Sequence, residues 1–127
     1  MKNAETIKEA TLSDVSRNII MHHLGSFQDN DLEAVIADYT KESVFITQDA
    51  TYKGPKEIMD FFAALMIHFP KQQSSFKLDK LEVNNELVYI VWHANTPSLE
   101  VPFGTDTFII RNSKIYQQTF AGQLKFI

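Results

Sequence analysis

The chain has no cysteine among its 127 residues, which excludes a disulfide framework, a thiolate nucleophile and a cysteine-based zinc site. No apolar run approaches the ~20 residues that a membrane-spanning helix needs. The opening "MKNAETIKEATLSDVSRN" is polar throughout and lacks the apolar centre of a secretory leader, so the expectation is a cytoplasmic protein with no membrane partner. Twelve basic residues against sixteen acidic ones leave a net charge of −4. The two signs are interspersed, and no basic stripe exists to grip a phosphate backbone, so nucleic acid is not an expected partner. Also missing are a Ser-His-Asp order, a nucleophile elbow, a phosphate loop and a dinucleotide fingerprint. Covalent catalysis and nucleotide cofactors are thereby disfavoured, and no cofactor is expected. The four histidines show neither H-x-H nor HExxH spacing. His22 and His23 stand about 100° apart on a helix and so cannot share one ion; no metal site is expected.

What remains is ordinary in bulk, 44% hydrophobic and 22% charged, with one domain's worth of residues and no internal repeat or linker. Residues 1–10 read as a loose lead-in and 11–127 as a single domain. Leu12, Val15, Ile19, His22 or His23, and Phe27 recur at helical spacing, with Thr11 or Ser13 as cap. Asp31 caps a short second helix, "LEAVIADY". "SVFITQ" is the first strand, followed by a turn through "DATYKG". Glycine and proline, four of each, act as punctuation. Gly54-Pro55 opens a third helix that buries Ile58, Phe61, Phe62 and Leu65, and Pro70 ends it. The rest is strand-like: "FKLDKLEV", a turn at Asn84-Asn85, "ELVYIVWHAN", then a closing hairpin from residue 100 to the end. Three helices followed by four long strands define an α+β layout. The helices pack in the concave face of a strongly curved, mostly antiparallel sheet, leaving a cone with an internal pocket.

The stretch "VPFGTDTFII" puts a carboxylate where a strand should be apolar. Seven of its ten residues are β-branched or aromatic, and strict alternation sets Asp106 on the same face as Phe108 and Ile110. Either that face is open to water or Asp106 is aimed into a pocket. The hairpin register decides what meets it. A two-residue loop at Asn112-Ser113 would set Thr119 opposite Asp106, and a three-residue loop with a bulge would set Gln118 there. The second register is preferred. It turns Asp106, Phe108, Tyr116, Gln118 and Phe120 inward and sends Ile109 and Ile115 outward.

The order of elements, with "DNDLEAVIADYTKESVFI", "YKGPKEIMDFFAAL", "VYIVWHAN" and "FGTDTFIIRNSKIYQQTFAG", resembles the nuclear-transport-factor-2-like (NTF2-like) superfamily over residues 11–125. Within it the chain looks like the SnoaL-like and ketosteroid-isomerase-like branch, of cystatin-like fold. The resemblance implies a homodimer formed through the outer sheet face and a cavity for a small hydrophobic or carbonyl-containing ligand. Ketosteroid isomerases carry an oxyanion-donating tyrosine on the first helix, and that position here is His23. Of two supporting tyrosine positions, one keeps Tyr39 and the other holds Phe62. The position of the general base falls on Thr47, with Asp49 two residues on, and Asp106 lies near that of the second, protonated oxyanion group. The family's usual glycine at the hairpin bulge is Ser113 here.

Two functions stay open. One is a cofactor-independent enzyme of isomerase, cyclase or hydratase type, with Asp106 and His23 as acid and base and Tyr39 or Gln118 orienting the ligand. The other is a non-catalytic dimeric binding or assembly module. Under either, Thr47, Phe62, Trp92 and Phe108 are expected at the ligand, Trp92 as pocket wall or as core.

Overall fold

The computed structural model describes residues 4–127, with side chains from Leu12 onward. Helix α1 spans Ala4–Gln28, α2 Leu32–Ile36 and α3 Gly54–Met66; the strands are β1 (Tyr39–Thr47), β2 (Thr51–Lys53), β3 (Ser75–Asn84), β4 (Leu87–Asn95), β5 (Leu99–Arg111) and β6 (Lys114–Phe126). Of the expected lead-in, residues 1–3 lie outside the described residues, and α1 runs through the remainder. The six strands form one sheet in the order β2-β1-β6-β5-β4-β3. Every neighbouring pair is antiparallel except β1 and β6. Helices packed on a curved sheet of this kind are the α+β arrangement expected above.

Two periodicities build the interior. On α1, Ser16, Ile20, His23, Leu24 and Phe27 are buried, a stripe at three- and four-residue steps. On β4, Val88, Ile90, Trp92 and Ala94 are buried, and on β5 Gly104, Asp106, Phe108 and Ile110. That is the two-residue alternation of a strand with one face on the core. From α3, Ile58, Phe62 and Met66 close the space between helices and sheet. Gly54, at φ +82°, makes the sharp entry into α3, and Glu57 accepts a hydrogen bond from the Lys53 backbone N–H at 2.9 Å. Register shifts interrupt β3/β4 at Leu78/Lys80, β4/β5 at Trp92/Ala94 and β5/β6 at Glu100/Phe103. Such bulges raise local twist and bend a sheet.

Helix α1 is fastened to the β3–β4 turn. The Ser16 hydroxyl donates to Asn85 O at 2.6 Å, and the Asn85 N–H donates to Ser13 Oγ at 3.1 Å. The turn itself is Asn85-Glu86, one residue later than the sequence suggested, because Asn84 still pairs with Leu87.

The closing hairpin combines both devices considered above. Arg111 pairs with Lys114 across a two-residue turn in which Asn112 (φ 50°) and Ser113 (φ 60°) are both left-handed, and a bulge follows between Ile109 and Ile110. Asp106 therefore faces Phe120, and Gln118 faces Phe108. The extra residue keeps the parity, so Asp106, Phe108, Gln118 and Phe120 share the inner face as expected. It reverses the expectation for the first residues of β6. Ile115 is fully buried opposite Ile110, and Tyr116 lies half-buried under the exposed Arg111 guanidinium, 4.5 Å from its ring centre.

Candidate functional site

The cone holds a partly open cavity of about 60 Å³, walled by α1, α3 and the inner face of the sheet. Aromatic rings dominate the wall. Phe45 and Phe62 stack at 5.8 Å, and Trp92 lies between Phe76 at 5.2 Å and Phe120 at 5.9 Å. Trp92 can lie flat on β5 because Gly104, its cross-strand partner, has no side chain. A Cβ there would come within 2.8 Å of the indole.

Into this wall the sheet sets a polar chain. Asp106, 7% exposed, accepts a hydrogen bond from Trp92 Nε1 on Oδ1 and from Gln118 Nε2 on Oδ2, both at 2.8 Å. The Tyr39 hydroxyl donates to Gln118 Oε1, so Tyr39, Gln118, Asp106 and Trp92 form one continuous relay. Burial pushes the Asp106 carboxyl up from its ordinary 3.8 to about 6, against the bonds from Trp92 and Gln118 and the nearby His23, which favour the charged form. Burial first, then the charges of Asp106 and Asp38, raises Tyr39 well above the ordinary phenol value, keeping it a neutral donor. The two bonds received by Asp106 leave the proton of its neutral form free to be donated into the cavity.

His23 comes to the same cavity from α1, its side chain 4% exposed. Its ring meets those of Tyr39, Phe62 and Phe108 edge-on at 5.7–5.8 Å. His23 and Asp106 do not hydrogen-bond to each other; Asp106 bonds to Trp92 and Gln118. His23 Nδ1 is the one buried side-chain nitrogen or oxygen without a hydrogen-bond partner among the described residues.

Of the residues expected at the site, Asp106, His23, Phe62, Trp92, Phe108 and Gln118 line the cavity, and Tyr39 reaches it through Gln118. Thr47 does not. Its hydroxyl donates to Ala50 O at 3.2 Å and accepts from the backbone N–H of Asp49 and Ala50, holding the β1–β2 turn. Asp49 is exposed there, so neither residue supplies a base at the cavity.

Sequence reasoning missed Asp38. It falls within the stretch read as the second helix, and it is 6% exposed. His22 Nδ1 lies 3.1 Å from both its oxygens, and His23 Nδ1 lies 3.6 Å from Oδ2. The remaining histidines are structural: His93 faces away from Trp92 and pairs with Asp79 at 2.7 Å, and His68 pairs with Ser98 Oγ at 2.7 Å. Among the described residues no group of three or more histidines and carboxylates is placed to hold a metal ion, and no helix is long and apolar enough to cross a membrane.

A second cleft, about 290 Å³, shares Phe27 and Phe76 with the cavity and is lined by polar groups including Asp29, Lys71 and Ser74. The two rings stand between the inner cavity and this outer space.

No family model and no curated protein matches the sequence. Solved structures do match. A protein from Kribbella flavida, provisionally named a ketosteroid isomerase, superposes with a TM-score of 0.73 at 8% identity, over 87% of this chain and 79% of its own. A provisionally named SnoaL-like polyketide cyclase from Shewanella denitrificans gives 0.69 at 14% identity, over 86% and 90%. A de novo designed protein with a curved β-sheet gives 0.73 at 12% identity, over 87% and 86%. An NTF2-like protein from Cytophaga hutchinsonii gives 0.69 at 9% identity, over 88% and 89%, and the chain has the NTF2-like fold. At such identities the likeness concerns the backbone alone, and one fold can host unrelated functions.

Proposed function

We propose that the cavity binds a small, mostly apolar carbonyl compound, on which Asp106 and His23 act as acid and base without a cofactor. One observation carries this reading: a carboxyl group set in an aromatic wall, with both oxygens already accepting bonds from that wall. A neutral carboxyl so held has one proton to donate, and a carbonyl oxygen is the acceptor that fits. In the step envisaged, His23 removes a proton from the carbon beside the carbonyl. The C–H electron pair forms a carbon–carbon double bond, and the carbonyl π pair moves to oxygen, which takes the Asp106 proton. Reprotonation at another carbon is isomerisation; attack of the enol on a second carbonyl is cyclisation. An acid poised at about 6 suits such transfers near neutral pH.

Size restricts the ligand. About 60 Å³ lies well below the ~300 Å³ of common ligand pockets, so a compact head enters the cone while any polar remainder rests in the outer cleft beyond Phe27 and Phe76. The same small volume favours a second reading, a non-catalytic binding or assembly module. Under both, two copies pair through the convex sheet face, as cytoplasmic homodimers, which light scattering on the purified protein tests.

The chain's single tryptophan is Trp92, in the cavity wall beside Asp106, so its fluorescence reports binding. Titration with 2-cyclopentenone should change the emission saturably, and the protein should accelerate deuterium uptake at the carbon beside the carbonyl in D₂O, an effect that Asp106→Asn abolishes. Saturation without exchange supports the binding module, and neither effect overturns both readings of the cavity.

A further inference from the structure

We propose that Asp38 is the positioning residue for His23: its carboxylate holds the imidazole in the Nδ1–H tautomer, so that Nε2 is presented to the cavity as the proton acceptor. The proposal rests on the reading of the cavity as an acid–base site and adds to it the group that makes His23 a base.

Three observations converge on Asp38. Its backbone is pinned from both sides. Lys114 Nζ donates to Ala37 O at 2.7 Å, and the Ile115 N–H donates to Asp38 O at 2.7 Å. Its carboxylate is held on the solvent side by His22, whose half-exposed ring puts Nδ1 3.1 Å from each oxygen. On the inner side Oδ2 faces His23 Nδ1 at 3.6 Å, and that nitrogen has no hydrogen-bond partner. A lone pair on a buried nitrogen aimed at a carboxylate oxygen is repelled as well as unsatisfied, whereas an N–H in the same place is attracted, and a shift of about half an ångström completes the bond. With Nδ1 committed to the proton, the lone pair of the neutral ring belongs to Nε2. The Nδ1 edge faces Asp38 while the ring lines the cavity, which turns the basic nitrogen toward a bound ligand. A base oriented by a third group is the general logic of activated acid–base sites. No part of this device is periodic in sequence: His22 and His23 lie on α1, and Asp38 lies between α2 and β1.

The test is the tautomer itself, read from two-bond ¹H–¹⁵N spectra of protein labelled with ¹⁵N-histidine, at about pH 8, where an ordinary imidazole is neutral. The expected result is a pyridine-type nitrogen shift at Nε2 of His23 and a pyrrole-type shift at Nδ1. The preference should be tenfold or more, the scale set by a hydrogen bond to a charged acceptor. Asp38→Ala, which leaves Nδ1 without an acceptor, should erase that preference or reverse it toward Nε2–H. His22→Gln, which leaves Asp38 in place, should preserve it. A His23 found as Nε2–H in the unaltered protein overturns the proposal, as does an unchanged preference in Asp38→Ala. If Asp38→Ala fails to fold, the unaltered protein and His22→Gln still decide. No ligand takes part, so a cavity that binds nothing leaves the tautomer result standing, and a wrong tautomer leaves the binding titration untouched.

Discussion

Asp106 should make the protein less stable as pH rises from about 4 to about 7, and Asp106→Asn should remove that loss. The sign follows from the direction of the shift. Folding raises the carboxyl from 3.8 to about 6, so between those values the folded state holds a proton that the unfolded chain has released. Stability from this group is fully present below 3.8 and is lost as pH passes through about 6. At about 1.36 kcal/mol per pH unit of displacement, the loss is about 3 kcal/mol, of the order of a third of a typical domain's total. Asparagine does not titrate and is close in shape to the neutral acid. Its Oδ1 can still accept from Trp92, and its Nδ2 can donate to Gln118 once that amide turns over and donates to Tyr39, since a hydroxyl also accepts. Urea denaturation of both proteins at pH 4, 5, 6, 7 and 8 measures the effect. The informative quantity is the change with pH in the difference between them, because any fixed effect of the substitution cancels. That difference should move by about 2 kcal/mol in favour of the variant between pH 4 and pH 8, nearly all of it below about pH 7, the remainder of the loss falling below pH 4. A difference that stays flat across the series would show that Asp106 ionises as freely in the fold as in water, and would refute the account of the buried carboxyl.

Three further outcomes follow from the same geometry. Gly104→Ala places a Cβ 2.8 Å from the Trp92 ring. It should cost about 1–3 kcal/mol and shift the tryptophan emission as the bond to Asp106 breaks; unchanged emission would count against that contact. Tyr39→Phe strips the donor from Gln118 Oε1 and should cost about 1–3 kcal/mol in urea unfolding, the usual loss for a buried acceptor left unpaired. Ser113→Gly should stabilise by about 1 kcal/mol, because Ser113 sits at φ 60°, where only glycine is free of the Cβ penalty; an unchanged or lowered thermal midpoint would refute that account of the turn.

The sequence was legible where a face repeats and illegible where a single residue ends a pattern. Period-three-and-four spacing identified α1 as a helix with one buried face but set most of the stripe a residue off. Leu12 is exposed and Ile19 half-buried, while Ser16, Ile20, His23, Leu24 and Phe27 are buried. Period-two alternation identified Asp106 as the odd member of an apolar face. Because β5 and β6 differ from the expected register by a whole number of pleats, Gln118 and Phe120 still faced inward. Ile115 and Tyr116 exchanged places because a bulge between β5 and β6 leaves no mark in composition. Thr47 was expected at the ligand because the resemblance sets a general base there, but the strand ends at Thr47 in a turn that takes up its hydroxyl. Asp38 and Tyr39 read as a continuation of the second helix. That helix stops at Ile36, β1 starts at Tyr39, and Asp38 drops into the gap beneath His22 and His23. Five helical residues are too few for a period to show where they end. A carboxylate beneath histidines fifteen and sixteen positions back becomes visible only in three dimensions.

The shape of the cone does not call for the groups found inside it. A designed protein reaches the same curvature, and bulges and glycines suffice to bend a sheet. Trp92, Phe108, Phe62 and Phe45 form an interior that an apolar residue at 106 could complete at no electrostatic cost. Instead the fold keeps a carboxyl that ionises at the expense of stability, an amide and a phenol that satisfy it, and a histidine nitrogen that nothing within hydrogen-bonding distance satisfies. Packing explains the first three only in sequence: Gln118 is needed because Asp106 is there, and Tyr39 because Gln118 is. Asp106 and His23 have no such prior member. They are the two polar groups that structural need leaves unexplained, and both line the cavity. Strain of this kind, concentrated at a cavity within an otherwise regular core, is what the proposed acid–base reading requires. That is the argument for trying ligands with a hydrogen-bond acceptor first, and hydrocarbons of the same size only as controls.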